Sequence, residues 1–177
     1  MYISSLKGKH ILVTAGPTWA PIDKVRVITN IFSGKTGCSI AHCARKQGAK
    51  VKLLLGPGRI NLPKDYFKGI SVTRFKYFDE LLMLTRAEVG SRKYDAIIHS
   101  AAISDYTPLK IANNKIPSGK KELIIRFKPT VKIIKYIKKW VPKIIVAQFK
   151  LEVGKTKKKL IKIANISMSK KDRKSVV

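Results

Sequence analysis

Residues 10–37 read HILVTAGPTWAPIDKVRVITNIFSGKTG. His10–Thr14 is a short apolar run, rich in β-branched residues, of the kind that fills a parallel strand covered on both faces. It ends in the small residues Ala15 and Gly16, and residues 15–22, with Pro17 and Pro21 as breakers, read as a loop. A helix is expected from Gly34 to Gln47, closed by Gly48. Ile40, Ala41, Ala44 and the cysteines Cys38 and Cys43 form its inner side. Ser33–Gly34–Lys35–Thr36–Gly37 lies at the helix start, where free backbone N–H groups, a hydroxyl and a lysine make a site for an anion, phosphate above all. Arg26 adds a permanent cation and Asn30 a side chain that both donates and accepts hydrogen bonds. Together these groups suit a phosphorylated carboxylic acid.

Outward from this stretch, strands and helices alternate. Lys50–Leu55 reads as a strand followed by the turn Gly56–Pro57–Gly58, and residues 60–68 as a loop around Pro63. Ile70–Phe75 reads as a strand, Phe78–Val89 as a helix, and Tyr94–Ala102 as a strand ending in small residues. Beyond it come a polar loop over residues 106–121, an alternating exposed strand at Leu123–Phe127, a helix at Val131–Lys139, a buried strand at Ile144–Phe149 and a basic helix at Lys155–Ala164. This order predicts an α/β, Rossmann-like three-layer fold, with a mostly parallel sheet and helices on both faces. Ligands of such sheets bind beyond the carboxyl ends of the strands. Ala15–Thr18, Gly56–Gly58 and His99–Asp105 fall at that edge. Residues 1–164 are expected to form this domain and residues 165–177 a basic, frayed tail.

The 177 residues carry 38 Lys+Arg against 10 Asp+Glu, a formal net charge of +28. Such a field attracts phosphate-bearing molecules. No apolar run approaches the ~20 residues of a membrane span, and MYISSLKGKH is not a signal peptide. Cys38 and Cys43, five apart on one helix, point in different directions and form no disulfide. They read as small core residues of a protein in a reducing, cytoplasmic setting. His10, His42 and His99 show no metal or nucleophile–base spacing and read as structural.

Two familiar phosphate motifs fail. A dinucleotide fingerprint needs G-x-G-x-x-G directly after the strand, but Gly16 is followed by Pro17, Thr18 and Trp19. Gly34–Lys35–Thr36 supplies the end of a nucleotide-hydrolase loop, yet the first glycine would fall at Thr29. A nicotinamide-dependent reductase is therefore disfavoured, as is a basic nucleic-acid-binding protein, for which no recognition motif is present. Two further groups carry chemistry. Ser100–Tyr106 brings small residues and Asp105 to a strand end, where Asp105 could orient a ribose, a base or a magnesium ion. Lys115, in the polar loop beside Gly119, suits offsetting charge on a phosphate or acyl phosphate.

Taken together, these groups resemble one family, the phosphopantothenoylcysteine synthetases (phosphopantothenate–cysteine ligases) of coenzyme A biosynthesis. The matching residues are Thr14–Thr18, Pro21–Asp23, Val25–Arg26, Thr29–Asn30, Ser33–Lys35, Gly37, Ala101–Ala102, Asp105–Tyr106, Lys115–Ile116, Lys128–Thr130, Lys132–Ile134 and Phe149–Glu152, in the family's order. The resemblance implies a ligase that activates phosphopantothenate with CTP or ATP and Mg2+ as an acyl nucleotide, which cysteine then attacks. It implies catalytic roles for Asn30 and Lys115, with Arg26, Ser33, Gly34 and Lys35 binding the acidic substrate. Nucleotide contacts are implied for Gly16, His99, Ser100, Ala101, Asp105, Lys115, Pro129, Thr130, Val131, Lys132 and Phe149, and for Lys158 and Lys162 at four-residue spacing. The metal ligands stay unassigned. Also implied are a homodimer, a separate phosphopantothenoylcysteine decarboxylase as partner, and neither nucleic acid nor membrane as ligand. The sequence departs from the family at Trp19–Ala20, Ile31–Phe32 and Pro117. It is expected to be a stand-alone, C-terminally short member.

Overall fold

The computed structural model describes residues 5–169 and 174–176. In chain order the elements are β1 (His10–Ala15), β2 (Trp19–Pro21), β3 (Val27–Thr29), α1 (Lys35–Lys46), β4 (Lys50–Leu55), a 3-10 turn at Lys64–Phe67, β5 (Ile70–Arg74), α2 (Phe78–Gly90), β6 (Ala96–His99), β7 (Tyr106–Pro108), β8 (Phe127–Pro129), α3 (Ile133–Trp140), β9 (Ile145–Phe149), α4 (Lys157–Ser169) and β10 (Lys174–Val176). Six of the strands form a parallel sheet in the order β10–β9–β6–β1–β4–β5. This is the doubly wound arrangement, whose strand order reverses between β1 and β6. The expected α/β architecture with a parallel sheet is the one found.

Alternation along β1 divides the core in two. Ile11, Val13 and Ala15 face α1, packing with Cys38, Ala41, Ala44, Leu53 and Leu55. Leu12 points to the opposite face, into a cluster with Leu54, Leu81, Val89, Ile97, Ile133, Ile137 and Val146 under α2 and α3. β1 is central and covered on both faces, so every residue from Leu12 to Ala15 is fully buried, as its near-continuous apolar sequence requires. α2 starts where the Glu80 carboxylate accepts from the backbone N–H groups of Lys76 and Tyr77 (2.6 and 3.3 Å), a box that satisfies donors the helix leaves open.

α1 lies very close to β1 because Gly37 has no side chain. A Cβ at Gly37 would stand 2.5 Å from the Ala15 Cβ. Gly37→Ala is expected to push the helix off the sheet and cost about 1–3 kcal/mol, as overpacked cores do. In a chain of this size that lowers the melting temperature by roughly 2–4 °C per kcal/mol, which calorimetry would read.

Several expectations shift. Residues 15–22 contain β2, which pairs antiparallel with β3 in a hairpin. The strand expected at Leu123–Phe127 instead covers Phe127–Pro129, because its partner is Tyr106–Pro108 and the pairing sets the register. The strand expected at Tyr94–Ala102 shortens to Ala96–His99, since Asp95 turns its carboxylate back to the His10 N–H (2.8 Å). Cys38 is buried but Cys43 is exposed, so only the first is a core residue. Burial pushes the Cys38 thiol up to about 11. Of the tail expected at residues 165–177, residues 170–173 and 177 lie outside the described residues. α4 continues to Ser169, and residues 174–176 pair with β9, satisfying backbone groups on an otherwise open edge.

Candidate functional site

The carboxyl ends of β1, β6 and β9 open into a cleft of about 700 Å³ at the point where the strand order reverses. One wall is the start of α1. Gly34 caps it at φ +89, with no side-chain cap and no acidic residue in the first turn. The first helical bond runs from Cys38 N–H to the Gly34 carbonyl (3.1 Å), and Lys35 N–H is held by the Ser33 hydroxyl (3.2 Å). The Thr36 and Gly37 N–H groups are left for an anion, and the helix dipole and Lys35 favour negative charge there.

Gly34 meets Gly16 at this wall. Both have positive φ, and a Cβ at Gly34 would stand 2.8 Å from the Gly16 nitrogen. Glycine is therefore required at Gly34 for backbone conformation and for contact alike.

The floor is Ser100–Ile103. Ser100 N–H donates to the Thr14 carbonyl (3.1 Å) and Ala102 N–H to the Gly16 carbonyl (2.9 Å), so the chain past β6 still runs beside β1. The Ala102 carbonyl in turn accepts from the Asn30 side-chain amide at 3.0 Å. Asn30 is thus held at the cleft by the strand end that the sequence marked out separately. His99 lies beneath the floor, 9% exposed, with Nδ1 3.0 Å from the Thr14 hydroxyl, which also accepts from Ala101 N–H at 3.2 Å.

The far wall is Asp105 with Lys132, joined by an ion pair, and the end of β9 with Gln148, Phe149, Lys150 and Leu151. Thr130 fastens this side, donating its N–H to the Asp105 carbonyl (2.9 Å) and its hydroxyl to the Ser104 carbonyl (2.7 Å). The cleft therefore offers helix-start amides and three lysines for phosphates (Lys35, Lys132 and Lys150), a half-exposed aromatic face at Phe149, and a side-chain amide.

Of the residues expected to bind, Gly16, Asn30, Ser33, Gly34, Lys35, Ser100, Ala101, Asp105, Lys132 and Phe149 line this one cleft. His99 and Thr130 support it from behind. Pro129 and Val131 are exposed on its flank and do not line it, and Lys158 and Lys162 lie on the exposed side of α4. Lys115 is exposed in the 109–126 loop, outside the lining. Arg26 also lies outside it. Its guanidinium is bound to Asp23 (3.0 and 2.5 Å) and to the Ile116 carbonyl (2.8 Å). Sequence reasoning gave no binding role to Phe32, Ile103, Gln148, Lys150 and Leu151. The rule that ligands sit past the carboxyl ends of strands reaches the last three once β9 is known to neighbour β6.

Among the described residues, Asp23 is the one carboxylate near the site with a fully buried side chain, and it accepts from Val25 N–H, Arg26 N–H and Ile116 N–H as well as the guanidinium. The Arg26 guanidinium first, then the Ile116 N–H, hold its carboxyl well below the usual carboxylate range. A depressed folded pKa gives stability that is complete above the unfolded value, ~4, and is lost as pH falls below it. The melting temperature is therefore expected to fall more steeply between pH 5 and 2 in the wild type than in Asp23→Asn, followed by circular dichroism.

Among the described residues, no group of three His, Cys, Asp or Glu could hold a metal ion, and no helix is long and apolar enough to cross a membrane.

The chain is similar to the coenzyme A biosynthesis bifunctional protein CoaBC of Thermococcus kodakarensis, 37% identical over 93% of this chain and 39% of that protein. It therefore spans about two fifths of that relative's length. Among solved structures, the DNA/pantothenate metabolism flavoprotein from Streptococcus pneumoniae superposes with a TM-score of 0.81 at 29% identity, covering 96% of this chain and 83% of that one. A Cab2 mutant in complex with phosphopantothenate-cysteine shares the fold, at a TM-score of 0.72 and 18% identity, over 95% of this chain and 73% of that one. Residues 6–177 match the family described as the DNA/pantothenate metabolism flavoprotein C-terminal domain. The doubly wound sheet, the glycine-bound helix start and this match over nearly the whole chain agree: the chain belongs to that family.

Proposed function

We propose that this chain is a phosphopantothenate–cysteine ligase domain acting in coenzyme A biosynthesis. The observation that carries the reading is the single cleft in which an uncapped helix start, Asn30 and the Asp105–Lys132 pair face one another. A substrate with a phosphate at one end and a carboxylate at the other needs an anion site and a separate place where the carboxylate meets a nucleotide. The relatives' coenzyme A assignment and the ligand of the Cab2 complex point to the same chemistry.

In the first step a carboxylate oxygen attacks the α-phosphorus of CTP or ATP, and the bond to the β-phosphate oxygen breaks, releasing pyrophosphate. In the second, the amine of cysteine attacks the acyl carbon, the carbon–oxygen bond to the nucleotide breaks, and the amine gives up a proton. The helix-start amides and Lys35 would take the phosphate of phosphopantothenate. Asn30 would hydrogen-bond the acyl nucleotide, and Lys115 would offset charge as carboxylate and α-phosphate approach. Asp105, the only carboxylate lining the cleft among the described residues, is already paired with Lys132. A magnesium ion would therefore arrive on the triphosphate, the usual habit of an ion that keeps its waters and binds through substrate phosphates. The same reading places the protein as a dimer in the cytoplasm, feeding a phosphopantothenoylcysteine decarboxylase.

The test is incubation with phosphopantothenate and CTP or ATP, following pyrophosphate, then addition of cysteine. Nucleotide-dependent pyrophosphate release, followed by phosphopantothenoylcysteine, supports the reading. No release with either nucleotide overturns it.

A further inference from the structure

Ile116 is gripped on both sides of its α-carbon. Its N–H donates to Asp23 Oδ2 at 3.0 Å, and its carbonyl accepts from the Arg26 guanidinium at 2.8 Å. Asp23 and Arg26 form the turn of the β2–β3 hairpin. There the Ile22 N–H donates to the Arg26 carbonyl (3.0 Å), and the Ile22 carbonyl accepts from Ala112 N–H (3.0 Å). The 109–126 loop is thus fastened to the hairpin at Ala112 and again at Ile116. Lys115 lies between these two points, one residue from the second.

The knot is stiff for clear reasons. Asp23's side chain is fully buried, with its oxygens filled by backbone N–H groups and by a planar guanidinium fork. From Arg26 the chain runs extended through β3 to Asn30, about 13 Å at the usual rise of a strand. A single short strand therefore connects the anchor of the Lys115 loop to the amide at the cleft.

We infer that the Asp23–Arg26 knot positions Lys115, so that Arg26 acts on the reaction through that lysine and not by gripping the acidic substrate. This rests on the ligase reading. Without the fork, Ile116 loses its carbonyl anchor and keeps only its N–H bond to an Asp23 carboxylate that no guanidinium holds in place, and Lys115 occupies its working position for a smaller share of the time. Such a loss lowers the rate and leaves ground-state binding alone.

The experiment uses the full chain and compares Arg26→Gln, Arg26→Lys, Lys115→Gln and the double variant Arg26→Gln/Lys115→Gln. Pyrophosphate release is read against phosphopantothenate concentration, and backbone hydrogen exchange over residues 112–118 is read without ligand. The expected result is a roughly tenfold lower kcat in Arg26→Gln with KM changed less than twofold, and faster exchange at Ile116. Arg26→Lys should behave alike, since it keeps the charge but not the fork. In the Lys115→Gln background the Arg26→Gln change should cost less than twofold, because both remove one device. A raised KM that Arg26→Lys restores, or fully multiplicative losses, would mean that Arg26 holds substrate, and would overturn the inference. If the wild type releases no pyrophosphate, the ligase reading fails. The exchange data still decide the anchor, and equal exchange in wild type and Arg26→Gln overturns it.

Discussion

Asn30→Asp is expected to lower turnover by a factor on the order of a hundred to a thousand, the usual cost of removing one preorganised donor from a developing anion. The change is nearly isosteric, so shape is kept while both electrical properties reverse. Asn30 now donates to the Ala102 carbonyl at 3.0 Å. An ionised aspartate has no hydrogen to donate, so two acceptors would face each other in a half-buried place. It would also put a negative charge where a carboxylate and an α-phosphate must meet, and like charges at that distance repel. The stability penalty is smaller, about 1–3 kcal/mol for an acceptor left unmatched. Single-turnover measurements with phosphopantothenate and nucleotide, set beside a melting curve, separate the two effects. Unchanged turnover would remove Asn30 from the chemistry.

Lys115→Gln is expected to slow pyrophosphate release before cysteine is added by about a hundredfold, ~3 kcal/mol, with no measurable change in melting temperature. The side chain is exposed and makes no ion pair among the described residues, so its removal takes nothing from the folded state. Its value lies in the transition state, where two anions are forced together and a nearby ammonium stabilises their union more than either partner alone. Lys120 and Lys121 are the natural controls. They are exposed in the same loop, contribute to the same positive field, and lie beyond the Asp23–Arg26 anchor. Lys120→Gln should cost less than twofold. Equal, mild losses at Lys115 and Lys120 would mean that only the general field matters.

The central strands were legible because burial on both faces forces a run such as Ile11–Thr14, which polar loops do not imitate. α1 and α2 were legible from their apolar stock and their end signals. The β2–β3 hairpin was not, because strands of three residues show no period and Pro21 reads as a breaker, although proline is tolerated at the end of an edge strand. What makes that hairpin is Asp23, whose carboxylate gathers the turn's N–H groups, a tertiary fact carried by one residue. The cleft residues on β1, α1 and the end of β6 followed from the rule about strand ends. Arg26 shows where such reasoning stops, since a cation beside a polar loop suggests a ligand whether its partner is a substrate or a buried aspartate. Lys158 and Lys162 had the right spacing, and neither is among the residues that line the cleft.

β1 sets His10 opposite Lys50 on one side and Ile11 opposite Ala96 on the other. Neither partner is near in sequence, and the cleft adds residues 148–151 from beyond both. Chains dominated by such distant pairings close their loops before contacts repay them, and they fold in milliseconds to seconds. The walls of the cleft come together only when β1, β6 and β9 are all in register, so a ligand finds nothing to hold until the end. Nucleotide or phosphopantothenate should therefore leave the refolding rate unchanged and slow unfolding alone, lengthening the lifetime of the native state in proportion to occupancy.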